Sequence, residues 1–166
     1  MTVYIFIILA VCVLDQLSKL LVMDAIAAAN SVALDGLREG MKISLLDGVL
    51  DFTYITNDGM AFGWLDNNRW VFMVLSAVGI IAMLAYLIYL KGNGKLFCFS
   101  LSLVIGGGIG NMIDRILLGC VVDFIDVKCF GELWKWVFNV ADSAVCVGAA
   151  LLILSVLLDF KKEKQK

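Results

Sequence analysis

Histidine is absent from the 166-residue sequence, and no other feature of the composition removes as much chemistry. Without an imidazole, Ser-His-Asp and Cys-His nucleophile systems and His-ligated zinc hydrolases are all excluded. Hydrolytic chemistry would have to use carboxylates, a lysine, or a metal held by oxygens. Charge is scarce as well. Charged residues make up 17% and apolar residues 62%, against about 25% and about 45–50% in soluble domains. A soluble fold of this size would lack the polar residues to cover its surface, so the surplus apolar side chains must face lipid. No block of Lys and Arg interleaves with aromatics and the formal charge is −2, which argues against a nucleic-acid partner. Cys12, Cys98 and Cys146 lie inside apolar runs, where a thiol behaves as a small hydrophobe. Cys120 and Cys129 share a polar segment, but no disulfide is expected, and no cysteine spacing resembles a metal site. Neither a metal nor a cofactor is expected.

Four runs, Val3–Val22, Trp70–Leu90, Leu96–Ile113 and Val137–Leu158, are long enough to cross about 30 Å of hydrocarbon at about 1.5 Å per residue. The chain therefore reads as one α-helical integral membrane domain over 1–166. Its four transmembrane helices fall at about 3–22, 70–90, 96–113 and 137–158, and segments 23–69 and 114–136 lie outside the bilayer. Ala27-Ala28-Ala29 looks like a signal cleavage site. The start carries no Lys or Arg, however, and Asp15 and Lys19 interrupt the apolar stretch, so a retained helix is expected. Lys91 and Lys95 sit in the link between the second and third spans, and Lys161, Lys162, Lys164 and Lys166 lie in the tail. The positive-inside rule places both in the cytoplasm, the N-terminus with them, and the two longer segments at the outer face. There Lys42–Leu46 and Val49–Ile55 flank Asp47-Gly48, a two-residue hairpin signal, and Val121–Val127 is rich enough in β-formers to extend the sheet. With Trp64, Trp70, Trp134 and Trp136 at the boundary, these segments read as a small β-sheet cap on the outer membrane face.

Polar residues inside the spans need a reason, since a charge costs about 2.5–3.5 kcal/mol there. Asp15, Ser18 and Lys19 share one face of the first helix. They form either an ion pair that eases insertion, with Lys19 snorkelling outward, or the wall of a polar site. Gly107, Asn111, Asp114 and Arg115 share a face at the end of the third helix. Close helix packing explains Gly106 and Gly110 but not the polar residues beyond them. Asn139 and Asp142 open the fourth helix, where an acid suits the helix dipole. Asp123 interrupts an apolar strand at the same depth, and simple alternation could also expose it. Two carboxylates in a low-dielectric pocket cannot both ionise easily. Such a pair supplies a base for water and an acid for a carbonyl or leaving amine. Asn57, Asn111, Asn139 and Arg115 could orient substrate carbonyls.

Five pieces, in order, carry a resemblance. They are Asp15-Gln16-Leu17-Ser18-Lys19, Asn57-Asp58-Gly59-Met60-Ala61-Phe62, Gly110-Asn111-Met112-Ile113-Asp114-Arg115, Val121-Val122-Asp123-Phe124 and Phe138-Asn139-Val140-Ala141-Asp142-Ser143. The chain resembles bacterial lipoprotein signal peptidase, signal peptidase II. The resemblance implies Asp123 and Asp142 as the catalytic dyad. It implies Asp15, Lys19, Asn57, Gly107, Asn111, Asp114, Arg115 and Asn139 as residues that shape or bind at the site. It also implies a prolipoprotein substrate bearing a diacylglyceryl-cysteine, cut just before that cysteine on the outer side of the cytoplasmic membrane. Membrane lipid is the other expected partner, and a monomer is expected.

Three rival readings remain. A proton- or ion-coupled transporter would keep acids in its helices too, but its polar residues should run through the full depth in repeated halves. A scaffold would need no paired acids. A Ser-Lys peptidase is weakened because Ser18 and Lys19 are adjacent, and adjacent helical side chains diverge by about 100°.

Overall fold

The computed structural model describes residues 1–57, 69–129, 131 and 136–163. Trp64, Trp134, Lys164, Lys166 and positions 58–62 of the second motif lie outside the described residues. Among those described, four helices are long and apolar enough to cross a membrane: α1 (Thr2–Ala29), α2 (Arg69–Leu90), α3 (Lys95–Leu117) and α4 (Val140–Glu163). An antiparallel sheet joins them, ordered β1 (Lys42–Leu46), β2 (Leu50–Asn57), β3 (Val121–Val127) and β4 (Val137–Phe138).

Helix ends depart from expectation by three residues or more in four places, one of them the far end of α4, which runs past Leu158 to Glu163. α1 continues beyond Val22 through an alanine-rich turn, the best helix-forming composition, and Asn30 closes it by donating its side-chain amide to Ile26 O at 2.8 Å. At about 1.5 Å per residue its 28 residues span about 42 Å, so one end projects past any hydrocarbon layer. α3 runs past Ile113 to Leu117, which makes Asp114 and Arg115 helical. α4 begins later than expected because Val137 and Phe138 pair with Asp126 and Ile125 as a fourth strand, a role β-branched and aromatic residues favour.

α3 is the central helix. Of its spanning window 44% is buried inside the protein, against 6% of that in α2. Glycines permit this. A Cβ on Gly106 would lie 2.8 Å from Val11 Cβ of α1, and one on Gly110 would lie 2.8 Å from Asp15 Oδ2. A Cβ on Gly107 would strike the Ala141 carbonyl of α4 and sit 2.8 Å from Val145 Cγ2. Close approach of this kind drives helix association where lipid is as apolar as the side chains. Ile8, Cys12, Leu87, Cys98, Leu101 and Ile105 fill the bundle away from the sheet.

The hairpin turns through three residues rather than two. Leu46 stands opposite Leu50, Val49 N–H returns to Leu46 O at 2.9 Å, and Gly48 takes φ +72°, which glycine adopts without penalty. The extra residue is accommodated by a register shift between Ser44 and Leu46. Ile43, Phe52, Ile125 and Phe138 stand opposite one another across the sheet. Phe52 meets Phe124 edge to face at 5.5 Å, and Val22 and Ile26 of α1 pack into this cluster. The neighbouring row is polar: Lys42 pairs with Asp51 at 2.8 Å, Lys128 with Asp126 at 2.6 Å, and Thr53 donates to Asp126 at 2.8 Å. The sheet is thus amphipathic and seats its apolar face on the end of α1. All five cysteines are free thiols, Cys120 and Cys129 included.

Candidate active site

The polar residues gather where the sheet meets α1, α3 and α4. β3 carries Asp123 inward, 2% exposed; the alternation that could have exposed it does not. Asp142 stands in the first turn of α4, half-buried. Asn139 joins the two. Its side-chain Nδ2 donates to Asp123 Oδ1 at 2.7 Å and to Val122 O at 3.2 Å. Its Oδ1 accepts the Asp142 N–H at 2.8 Å, and its own N–H donates to Asp142 Oδ2 at 3.3 Å. This reciprocal exchange is a capping box, so the residues that start the helix also place its acid.

The other oxygens are engaged too. Asn111 Nδ2 donates to Asp142 Oδ1 at 2.7 Å, and Asn111 Oδ1 accepts from Asn139 Nδ2 at 3.1 Å. Asn57, at the end of β2, donates to Asp123 Oδ2 at 3.1 Å. Beside it Glu39 accepts from both the backbone and the hydroxyl of Thr56. Arg115 is half-buried, donates to Asn111 O at 3.3 Å, and lies within electrostatic reach of Asp142, Asp114 and Asp123. Burial pushes the Asp123 carboxyl up to about 6. The charge of Asp142 adds to the rise, while the amides of Asn57 and Asn139 and the charge of Lys19 oppose it.

Lys19 does not snorkel. It is 3% exposed and bridges Asp15 Oδ2 at 2.8 Å and Asp114 Oδ2 at 2.7 Å, both acids being buried. Asn111 Oδ1, at 3.4 Å, takes its remaining donor. Ser18 is not among these groups; its hydroxyl turns back to Asp15 O at 2.8 Å. The nearest atoms that a Cβ on Gly107 would meet belong to Ala141 and Val145, so this glycine holds α3 against the start of α4. Gln16 was not singled out as a site residue from the sequence. Its Nε2 donates to Asp114 Oδ1 at 2.8 Å, to Asp15 Oδ2 at 3.2 Å and to Gly110 O at 3.3 Å. The signal was a polar amide within an apolar span. Among the described residues no buried side-chain nitrogen or oxygen lacks a partner, so the network is closed. A closed network with one carboxyl near neutrality can give a proton to one group while another carboxylate accepts one.

Residues 7–158 match the peptidase A8 family, described as signal peptidase (SPase) II. A lipoprotein signal peptidase from Halalkalibacterium halodurans is 36% identical over 164 residues, 99% of this chain and 97% of that protein. Another from Halothermothrix orenii is 42% identical over 148 residues, 89% of this chain and 90% of its own length. Two solved structures, each described as a bacterial membrane enzyme obtained by the in meso method, superpose with TM-scores of 0.73 and 0.72. They are 29% and 28% identical, and the matches cover 100% and 95% of this chain and 94% of each neighbour.

Proposed function

This chain belongs to the signal peptidase II family of proteases, and from that premise we propose that it is an aspartyl endopeptidase of the cytoplasmic membrane. Its substrate is a prolipoprotein bearing a diacylglyceryl-cysteine, and it cuts just before that cysteine. Asp123 and Asp142 form the dyad. The observation that carries this reading is the hold of Asn139 on both carboxyl groups at once.

Asp142 takes a proton from water as the water oxygen attacks the scissile carbonyl carbon. Asp123, still protonated, gives its proton to the carbonyl oxygen. In the tetrahedral adduct the C–N bond breaks as Asp142 returns its proton to the departing amine, and a hydroxyl of the adduct restores the proton of Asp123. Asn57 and Arg115 orient the substrate backbone. A lipid-anchored peptide diffuses in the membrane plane, so the site needs only a lateral opening. In the assay that tests this, purified protein in detergent releases the signal peptide from a diacylglyceryl-modified precursor and leaves the unlipidated precursor uncut. No release from the modified precursor would overturn the reading.

The same assay run against pH tests the proton on Asp123. As general acid it must be protonated, so kcat/KM falls as pH rises through about 6. Asn57→Ala removes a hydrogen bond that favours the ionised form and moves this limb upward. For stability the sign is the same. The carboxyl lies above its ordinary 3.8, so its contribution is full below that value and is lost as pH rises through about 6. A profile flat between about pH 5 and about pH 7 would contradict the assignment.

Orientation follows the lysines: both termini in the cytoplasm, the sheet and the acids outside. A reporter fused after Lys166 or within 92–94 should report cytoplasm, and one within 30–40 the outside. A C-terminal fusion that reads outside would put the acids on the wrong face for this substrate.

A further inference from the structure

Two buried carboxylates outside the dyad grip the main chain immediately before each member of it. Asp15 Oδ1 accepts the N–H of Ala141 at 2.9 Å, one residue before Asp142. Asp114 Oδ2 accepts the N–H of Val122 at 3.1 Å, one residue before Asp123. The two gripping carboxylates are tied to each other. Lys19 Nζ lies 2.8 Å from Asp15 and 2.7 Å from Asp114, and Gln16 Nε2 lies 3.2 Å and 2.8 Å from the same pair. From this geometry we propose that Lys19 and Gln16 are positioning residues that set the separation of Asp123 and Asp142 through the backbone, a role that rests on the dyad reading above.

Each link has a reason to be stiff. Ala141 sits in the first turn of α4, where a helix cannot satisfy its own N–H groups. Asp142 N–H goes to Asn139 within the capping box. Ala141 N–H is met from another helix by Asp15, whose negative charge also suits the helix start. Val122 N–H has Asp114 as its acceptor beside the pairing of β3 with β2. Both contacts involve main-chain atoms, so they fix the segments and not merely side-chain rotamers. Gly110 allows the approach: a Cβ there would lie 2.8 Å from Asp15 Oδ2 and 3.3 Å from Ala141 Cβ. α1 thereby carries the span across which β3 and α4 are held, without touching either dyad carboxyl.

Lys19→Met leaves two buried carboxylates uncompensated and risks misfolding, so two further variants accompany it. Gln16→Leu is uncharged throughout. The triple variant Asp15→Asn, Lys19→Met, Asp114→Asn keeps an amide oxygen for each backbone N–H and buries no charge, but breaks the bridge. The triple variant should lower kcat about 100-fold, the scale expected for displacement of reacting groups by about 1 Å, with KM for the lipidated precursor within about threefold. Gln16→Leu should show a smaller fall of the same kind. Hydrogen–deuterium exchange should quicken at Val122 and Ala141 in both variants, relative to other amides of β3 and α4. Unchanged kcat in the folded triple variant, or unchanged exchange at both amides, would overturn the proposal. If the wild type does not cut the precursor, the dyad reading fails and takes the positioning role with it, whatever exchange shows. If the wild type cuts and the triple variant cuts equally fast, only the positioning role fails.

Discussion

Asp123→Asn and Asp142→Asn should each abolish signal-peptide release while the protein stays folded in the membrane. Asparagine keeps the size of aspartate, and its one oxygen can still accept, from Asn139 at position 123 and from Asn111 or the Asn139 N–H at position 142. The replaced oxygen becomes an amide facing Asn57 in one variant, and facing either Asn111 or the Asn139 N–H in the other. That mismatch costs about 1–3 kcal/mol, which a folded membrane protein can bear. The chemistry cannot bear it, because neither amide ionises or carries a carboxyl proton at working pH. Activity should fall by about 10⁴-fold or more, and the double variant should be no worse than either single one, since groups that act as a unit are lost as a unit. Asp126→Asn and Asp159→Asn are the controls. Asp126 is held by Lys128 and Thr53 in the sheet, and Asp159 lies in the last turns of α4. Near-normal turnover by either dyad variant, at equal amounts of folded protein, would end the aspartyl reading.

Gly107→Ala should be the most damaging single methyl that can be added to the bundle. The new carbon would collide with the backbone carbonyl of Ala141 and with Val145, and a carbonyl inside a helix cannot swing aside as a flexible side chain does. α3 and α4 must part. Overpacking of this kind costs about 1–3 kcal/mol. Here it falls beside the first turn of α4, so Asp142 moves with the helix. We expect a lower melting temperature together with at least a tenfold fall in kcat, about 1.4 kcal/mol of barrier. Gly108→Ala is the comparison: its Cβ would meet only the end of the Ile80 side chain, at 3.3 Å, and should change both quantities far less. Equal effects at the two positions would deny Gly107 its special place.

Much of this architecture was legible as runs of the right length, because lipid thickness imposes one number on every span. The Asp47-Gly48 pair marked the hairpin, although the loop closed with one residue more than the signal required. What stayed hidden depended on partners distant in the chain. The pairing of Lys19 with Asp114 has no local signature, so the nearby Asp15 looked like its whole answer and outward snorkelling looked feasible. β4 is two residues long, too short for any period, and merged with the apolar run that follows. The alanines at the end of α1 suit a helix and a cleavage site equally well. The grips on Ala141 and Val122 use main-chain amides, which every residue but proline possesses, and so no side-chain pattern announces them.

One residue, Asn139, is all the chain that lies between the last strand and α4. Its side chain reaches the neighbouring strand while its backbone begins the helix, so strand and helix meet at a joint without slack. A joint like that transmits force rather than absorbing it: tilting α4 would drag β4, and β3 with it. On the proposed function, admission of a bulky lipidated chain would fall to an element outside this lever. α2 lies outside it, and among the described residues its spanning window is the least buried of the four, at 6%.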